Sequence, residues 1–104
     1  MEIKNKLRVL GTKVITEACA KYPKAAVALR AWVKAMKSCN ASHPVELREI
    51  FSYVDPVPPQ TVFNICGNDY RLIAKINYEH KVVRIQHVLT HADYDKNYWK
   101  ESVP

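Results

Sequence analysis

A chain of 104 residues suffices for one domain with a single modest core and is too short for two. No apolar run approaches the roughly 20 residues that cross a bilayer, and the polar first residues do not resemble a signal peptide, so we expect a cytosolic protein without membrane contact. The net charge of +6 favours a polyanionic partner, and all of the excess lies in residues 1–52, which hold ten Lys and Arg against four acids.

The first half of the chain predicts one short strand followed by helices. Residues 7–10 are a strand candidate that ends at Gly11. Apolar residues then recur at helical spacing, with Thr12 as the expected N-cap, and Pro23 separates this helix from a second one. The apolar face of the second helix consists of Ala25, Leu29, Trp32, Val33 and Met36. Opposite it runs a basic stripe, which is either a solvated helix face or a surface for a polyanion, at Arg30, Lys34 and Lys37.

The second half predicts a three-strand antiparallel meander. After a loop at residues 38–42, Pro44 suits the first turn of a short third helix that runs through Phe51. Residues 52–60 contain three prolines and are expected to form an irregular connection. The strands and a closing helical turn are expected at residues 61–65, 70–78, 82–89 and 90–95. This order of elements indicates one α+β domain spanning the chain, with the helices packed on the meander.

Alternation along the last two strands separates an apolar face from a polar one. The apolar set should pack on the helices and comprises Tyr70, Leu72, Ala74, Ile76 and Tyr78 of one strand and Val83, Ile85, His87 and Leu89 of the next. If these sets share a face, the opposite face presents four polar side chains, Arg71, Lys75, Arg84 and Gln86. We therefore expect a cationic groove floor on that face, and we interpret His87 as a core histidine.

Short motifs in a fixed order carry a family resemblance. They are Val62-Phe63-Asn64-Ile65, Gly67-Asn68, Tyr70-Arg71-Leu72, Ile76-Asn77-Tyr78 and Thr90-His91-Ala92-Asp93-Tyr94-Asp95-Lys96, with Arg8-Val9 and Leu29-Arg30-Ala31-Trp32 upstream. The ordered set resembles the HigB toxins, a branch of the RelE-like superfamily, over about residues 7–98.

The resemblance implies a RelE-like fold and a function. Such toxins are metal-independent endoribonucleases that need no cofactor and cleave messenger RNA, in general on the ribosome. Each is held inactive by a cognate antitoxin, typically a HigA-like helix-turn-helix repressor. Two positions depart from the family, because Gln86 stands where Arg or Lys is usual and Cys66 where Lys is frequent. Arg84 should face the same way as Gln86, and our hypothesis is that it replaces the missing cation.

Metal-free cleavage of RNA uses the ribose 2′-OH as the nucleophile on the adjacent phosphate. It needs a base for that hydroxyl, an acid for the leaving 5′-oxygen and a cation for the developing charge. Arg71, which is planar and always charged, suits the phosphate, and His91, which titrates near neutral pH, suits the acid. Tyr94, at i+3 from His91, could stack on a base or orient the substrate, and Asp95, at i+4, could hold the imidazole in one tautomer. No residue stands out as the general base.

Further RNA contacts are expected on both halves of the chain. The candidates are Lys75, Arg84, Gln86 and Lys96 near the meander and Arg30, Lys34 and Lys37 on the second helix. The helix stripe could meet ribosomal RNA or an acidic antitoxin segment, since positive charge would raise the association rate of either.

The site residues have structural alternatives. His91 and Tyr94 could simply close the end of the sheet, with Thr90 as the N-cap of the terminal helix. Arg71 could pair with an acid of that helix, and Asp95 could cap it or contact the antitoxin.

Other functions also remain open from the sequence. His87 and His91, like Cys39 and His43, have ligand-like spacing but no companion acid, so we expect no metal site. The chain could be a non-catalytic module that binds RNA or the ribosome, as the missing cation at Gln86 suggests. It could also be a decayed toxin that only binds its antitoxin.

Overall fold

Five strands form one mixed sheet, and the two longer helices cover one of its faces. The computed structural model describes residues 7–39, 44–51, 53–67 and 69–96. In chain order the elements are β1 (Arg8–Leu10), α1 (Thr12–Lys21), α2 (Ala26–Lys37), α3 (Pro44–Leu47), β2 (Val54–Val57), β3 (Gln60–Ile65), β4 (Tyr70–Asn77), β5 (Val82–Thr90) and α4 (His91–Asp95). A single 3-10 turn over Pro23–Ala25 separates α1 from α2.

The sheet has the strand order β1-β5-β4-β3-β2. Strands β2 to β5 are antiparallel to their neighbours, whereas β1 pairs with β5 in parallel. The predicted α+β class is confirmed, with an N-terminal strand, helices packed on the sheet and a short C-terminal helix. In the described part of the chain, no helix is long and apolar enough to cross a membrane.

Strand β2 corrects the prediction that residues 52–60 form an irregular connection. Val54 pairs with Phe63 and Val57 with Gln60, so the antiparallel part of the sheet has four strands instead of three. The prolines were the reason for predicting an irregular connection, but Pro56 lies in a strand at the edge of the sheet. An edge strand tolerates proline, since only one of its sides hydrogen-bonds to a neighbour.

Two helix boundaries also differ from expectation. Helix α1 begins at Thr12 itself, and Gly11 is its N-cap, with no side-chain cap. Helix α3 ends at Leu47 rather than Phe51, and turns follow it. The predicted loop at residues 38–42 lies largely outside the described residues.

Gly11 joins β1 to α1 where the chain passes close to β5. Its φ is +85°, and a Cβ at this position would lie 2.7 Å from the carbonyl oxygen of Ile85. Both the left-handed conformation and the close approach require glycine. This tight connection holds α1 against the sheet.

The main core lies between the helices and one face of the sheet. Its centre is Phe63, whose ring meets those of Trp32 and Phe51 edge-on at centroid distances of 5.2 Å. Buried aliphatic residues surround these rings and include Ile15, Leu29, Met36, Leu72, Ala74, Val83, Ile85 and Val88. The aromatic centre therefore ties α2, β3 and the segment after α3 together.

A β-bulge divides β5 into two halves with opposite alternation. Ile73 pairs with His87, but its neighbour Ala74 pairs with Ile85, which leaves Gln86 as the extra residue. Before the bulge, Ile85 faces the helices, whereas after it Val88 does so. The prediction that His87 and Leu89 belong to the helix-facing set is therefore wrong. Both lie on the opposite face, which we call the distal face because it turns away from α1 and α2.

Candidate active site

The distal face carries a second apolar cluster where a cationic groove floor was predicted. Val62, Ile73 and Leu89 are buried there, and Val57 and Tyr94 pack against them. Arg71, Lys75 and Arg84 lie on this face as expected, but its centre is apolar, so they do not form one cationic floor. The predicted polar residues form two separate groups, one beside α4 and one at the β4–β5 turn.

Helix α4 is fixed to the sheet at its first residues. Thr90 ends β5 in an extended conformation, and its side-chain oxygen accepts a hydrogen bond of 3.1 Å from the backbone N–H of Asp93. The backbone N–H of His91 donates to the carbonyl oxygen of Asp69 at 3.0 Å. Thr90 is therefore the N-cap of α4, and the turn before β4 supports the position of His91.

His91 and Asp95 form an ion pair on the exposed side of α4. The distance from Nδ1 of His91 to Oδ2 of Asp95 is 3.2 Å, and the side chains are 46% and 62% exposed. A proton on Nδ1 donates to the carboxylate, so Nε2 is the nitrogen that can meet a ligand. The geometry permits a proton donor whose ring is oriented by Asp95.

Arg71 lies beneath Tyr94. The Cζ of the guanidinium is 5.3 Å from the centroid of the phenol ring, which is within cation–π distance. Arg71 is only 8% exposed, and its Nη1 donates to the carbonyl oxygen of Tyr70 at 3.2 Å. The acids of α4 pair with neighbouring side chains, Asp95 with His91 and Asp93 with Lys96 at 3.5 Å.

Asp55 is a member of this neighbourhood that the sequence interpretation missed. It lies on β2 opposite Val62, which places it on the distal face. Burial raises the pKa of Tyr94 above its usual 10.0, and the negative charge of Asp55 raises it further. The alternation of Val54 and Pro56 with Asp55 and Val57 is a strand signal, but the prolines masked it.

The second polar group lies at the β4–β5 turn. Lys75 and Arg84 are direct cross-strand partners, so two like charges stand side by side on the distal face. Like charges in this arrangement destabilise a sheet, and an anion would relieve the repulsion. They line an open groove together with Pro59, Asn77, Tyr78, His80 and Val82.

Gln86, the position of the missing cation, contacts a side chain of β3, and Arg84 lies toward the β4–β5 turn. The Nε2 of Gln60 donates to Oε1 of Gln86 at 2.7 Å, which engages the Gln86 carbonyl within the protein. Arg84 lies beside Lys75, and the apolar cluster separates it from His91. Whether Arg84 replaces the cation of the family stays a prediction.

The basic stripe on α2 lies in the helical layer. Arg30, Lys34 and Lys37 are all exposed, and the apolar side of α2 packs on the sheet. Because α2 covers the opposite face of the sheet, these residues do not join the group beside α4. They form a separate positively charged surface.

Within the described ranges, no three His, Cys, Asp or Glu side chains gather closely enough to hold a metal ion. His87 lies on the distal face opposite Ile73 and is half-buried, so it is not a residue of the helix-facing core. His43 lies outside the described residues.

The substitution His87→Gln should reduce the loss of stability in acid. Burial lowers the pKa of His87 below its usual 6.5, so the unfolded chain binds a proton here more readily than the folded chain does. The free energy of unfolding of the wild type should therefore fall as the pH drops below about 6.5, and less so in the variant. Urea unfolding at about pH 7.5 and about pH 5.5 measures the difference.

His80→Gln, in the exposed β4–β5 turn, is the matched control for this substitution and should behave as the wild type. Equal acid sensitivity of the wild type and His87→Gln would contradict the prediction.

Comparison with known proteins gives concordant results. The family model HigB_toxin, described as the RelE-like toxic component of a toxin–antitoxin system, matches residues 25–97. The chain is 35% identical over 101 residues to "mRNA interferase HigB" of Escherichia coli O6:H1, which covers 92% of this chain and 98% of that protein. It is 27% identical over 92 residues to "mRNA interferase toxin HigB" of Escherichia coli K12, covering 86% and 88%. The chain therefore belongs to the HigB toxin family of RelE-like toxins from toxin–antitoxin systems.

Proposed function

We propose that this toxin is a metal-independent endoribonuclease that cleaves messenger RNA and acts on transcripts while they are on the ribosome. The observation that carries the proposal is the His91–Asp95 pair beside the Arg71–Tyr94 stack, at one end of the distal face. These four side chains combine a proton donor, its orienting carboxylate, a permanent cation and an aromatic ring. The relatives are named as mRNA interferases, which supports the same reaction.

The reaction is an intramolecular attack. The 2′-oxygen of a ribose forms a bond to the adjacent phosphorus, and the bond from phosphorus to the 5′-oxygen breaks. Arg71 balances the negative charge that develops on the phosphoryl oxygens. His91, as imidazolium, gives the proton on Nε2 to the leaving 5′-oxygen, while Asp95 holds the ring through Nδ1.

Tyr94 controls access to the cation. Because its ring covers the guanidinium and Arg71 is 8% exposed, a phosphate that reaches Arg71 must first displace the phenol. The displaced ring can then stack on a nucleobase, as aromatic side chains commonly do in proteins that bind single-stranded RNA. Binding of the transcript and exposure of Arg71 are thereby coupled.

The remaining predicted contacts form two surfaces. Lys75 and Arg84 would hold the RNA backbone at the β4–β5 turn, with the amide nitrogen of Gln86 as a further donor. Lys96 would act next to α4. The stripe on α2 faces away from this track and would contact ribosomal RNA or an acidic segment of the antitoxin, at Arg30, Lys34 and Lys37.

Membership of the family means that the chain has an antitoxin partner. We propose that this partner is a HigA-like helix-turn-helix protein. Its co-expression should neutralise the toxin.

A second candidate function is binding of RNA or the ribosome without cleavage. Two observations favour it: the ring of Tyr94 covers Arg71, and Gln60 donates a hydrogen bond to Gln86. A static arrangement of this kind would keep Arg71 out of reach of a phosphate beside His91. The two candidates differ in whether transcripts are cut.

Induced expression with mapping of transcript ends tests the proposal. We expect growth arrest and fragments with 5′-hydroxyl ends, because attack by the 2′-OH leaves the 5′-oxygen without phosphate. Fragments with 5′-phosphate ends would instead indicate attack by water and contradict the mechanism. Arrest without fragments would favour the binding module, and the absence of arrest despite antitoxin binding would favour a decayed toxin. Cleavage of free and ribosome-bound transcripts by the purified protein tests ribosome dependence.

A further inference from the structure

The site beside α4 has an acid and a cation, but its predicted residues include no base for the 2′-OH. The acids closest to α4 in sequence or in contact are already committed to ion pairs. Asp95 pairs with His91 at 3.2 Å, Asp93 with Lys96 at 3.5 Å, and Asp69 with Lys24 at 3.4 Å. A carboxylate outside these ion pairs lies on another element of the site.

Strand β2 brings a carboxylate to the same neighbourhood. Asp55 pairs in register with Val62, and Val62 pairs with Ile73, so Asp55 shares the distal face with the apolar cluster on which Tyr94 packs. Its charge acts on the Tyr94 phenol, which places the carboxylate near that side chain. Among the described residues, Asp55 forms no ion pair, and it is partly exposed.

The strand order places Arg71 between the two proton-transfer groups. His91 follows β5, Arg71 lies on β4 and Asp55 lies on β2, which is two strands further across the sheet. Two strand spacings are about 10 Å, enough for a ribose and its phosphate between Asp55 and Arg71 once the Tyr94 ring that packs on this part of the face is displaced. In-line displacement requires the attacking and leaving oxygens on opposite sides of the phosphorus. A base on β2 and an acid on α4 satisfy that requirement.

We propose that Asp55 is the general base of the cleavage reaction. The inference rests on the proposed function and supplies its missing group. The Asp55 carboxylate takes the proton of the 2′-OH as the 2′-oxygen bonds to phosphorus. The phosphorus–5′-oxygen bond breaks, and His91 gives its proton to that oxygen. One proton enters the protein at Asp55 and one leaves it at His91, so the sum is neutral, and exchange with water restores both groups. Carboxylates are ionised near neutral pH, so the base is ready before substrate binds.

The substitution Asp55→Asn tests the role. It keeps the size of the side chain and removes the proton acceptor, and we expect cleavage to slow by about 10²–10⁴-fold, the usual worth of general base catalysis. The acidic limb of the pH–rate profile, which reports ionisation of the base, should disappear. Glu79→Gln, an exposed acid in the β4–β5 turn, makes the same change of charge and should leave rate and profile unchanged.

A modified substrate separates the base from the acid. A transcript with sulfur in place of the leaving 5′-oxygen needs no proton donor, because a thiolate is a good leaving group. It should restore cleavage by His91→Ala and fail to restore cleavage by Asp55→Asn. Equal restoration of both variants, or an acidic limb that survives in Asp55→Asn, would overturn the role of Asp55.

Two further outcomes are decisive. Circular dichroism and a melting curve establish whether Asp55→Asn is folded. If it is not folded, Asp55→Glu is tested instead, and it should cleave more slowly while keeping the acidic limb of the pH–rate profile. Loss of that limb in Asp55→Glu would overturn the proposal. If the wild type cleaves and Asp55→Asn cleaves equally fast, only the base assignment fails. If the wild type cleaves no transcript, the proposed function fails and the base role fails with it.

Discussion

The substitution His91→Ala should slow transcript cleavage by about 10²–10⁴-fold, which is the range for loss of a general acid or base. The reason is that His91 is the proton donor of the proposed mechanism, whereas Asp93 and Asp95 act as acceptors in their ion pairs. The fold should persist, because the His91 side chain is 46% exposed and its removal leaves no buried cavity. Single-turnover cleavage, compared with a melting curve of the same preparation, measures the two effects separately.

Asp95→Asn is the matched comparison for this variant. It leaves the imidazole in place and removes only the charge that orients it, so its effect should be smaller than that of His91→Ala. A His91→Ala protein that is folded and cleaves at the wild-type rate would remove His91 from the mechanism.

The largest effect on stability is expected for Phe63→Ala, which should lower the free energy of unfolding by about 3–5 kcal/mol. Phe63 is 1% exposed, and its ring contacts Trp32 and Phe51 edge-on. Truncation removes both aromatic contacts and leaves a cavity at the junction of α2, β3 and the segment after α3. Since domains are stable by about 5–15 kcal/mol, the variant should lie close to its unfolding threshold.

Urea unfolding of Phe63→Ala measures this loss, with Val27→Ala as the control. Val27 is also apolar but 78% exposed on α2, so its truncation should change stability by about 0.5 kcal/mol at most. A loss in Phe63→Ala no larger than that in Val27→Ala would show that the aromatic centre does not hold these elements together.

Much of the fold could be predicted from local patterns. Strands β3 and β4 alternate regularly, and the helices carry apolar residues at helical spacing, so burial against a common core determined both the pattern and the structure. Thr90 was recognisable as a candidate N-cap because its hydroxyl precedes a short polar helix, and the hydrogen bond to Asp93 is present.

Two features could not be predicted from the sequence, because in each case a tertiary contact overrides the local sequence pattern. Pro56 argues against a strand because proline cannot donate a backbone hydrogen bond, but at the edge of a sheet that donor is not needed. Because β2 was not predicted, Asp55 was not recognised as a site residue either. The burial of Arg71 depends on a ring from α4 that lies 23 positions further along the chain, at Tyr94. No pattern within β4 could indicate that cover.

The extra residue at Gln86 makes the length of β5 part of the design of the site. Substitution at this position leaves the two halves of the strand in their opposite orientations. Pairing of β5 at the same length without the bulge would instead turn the end of the strand over, with His87 and Leu89 toward the helices and α4 re-aimed. Relatives of this toxin should therefore either keep a bulge between Ile85 and Thr90 or lack one residue there, because both arrangements preserve the orientation of the end of β5.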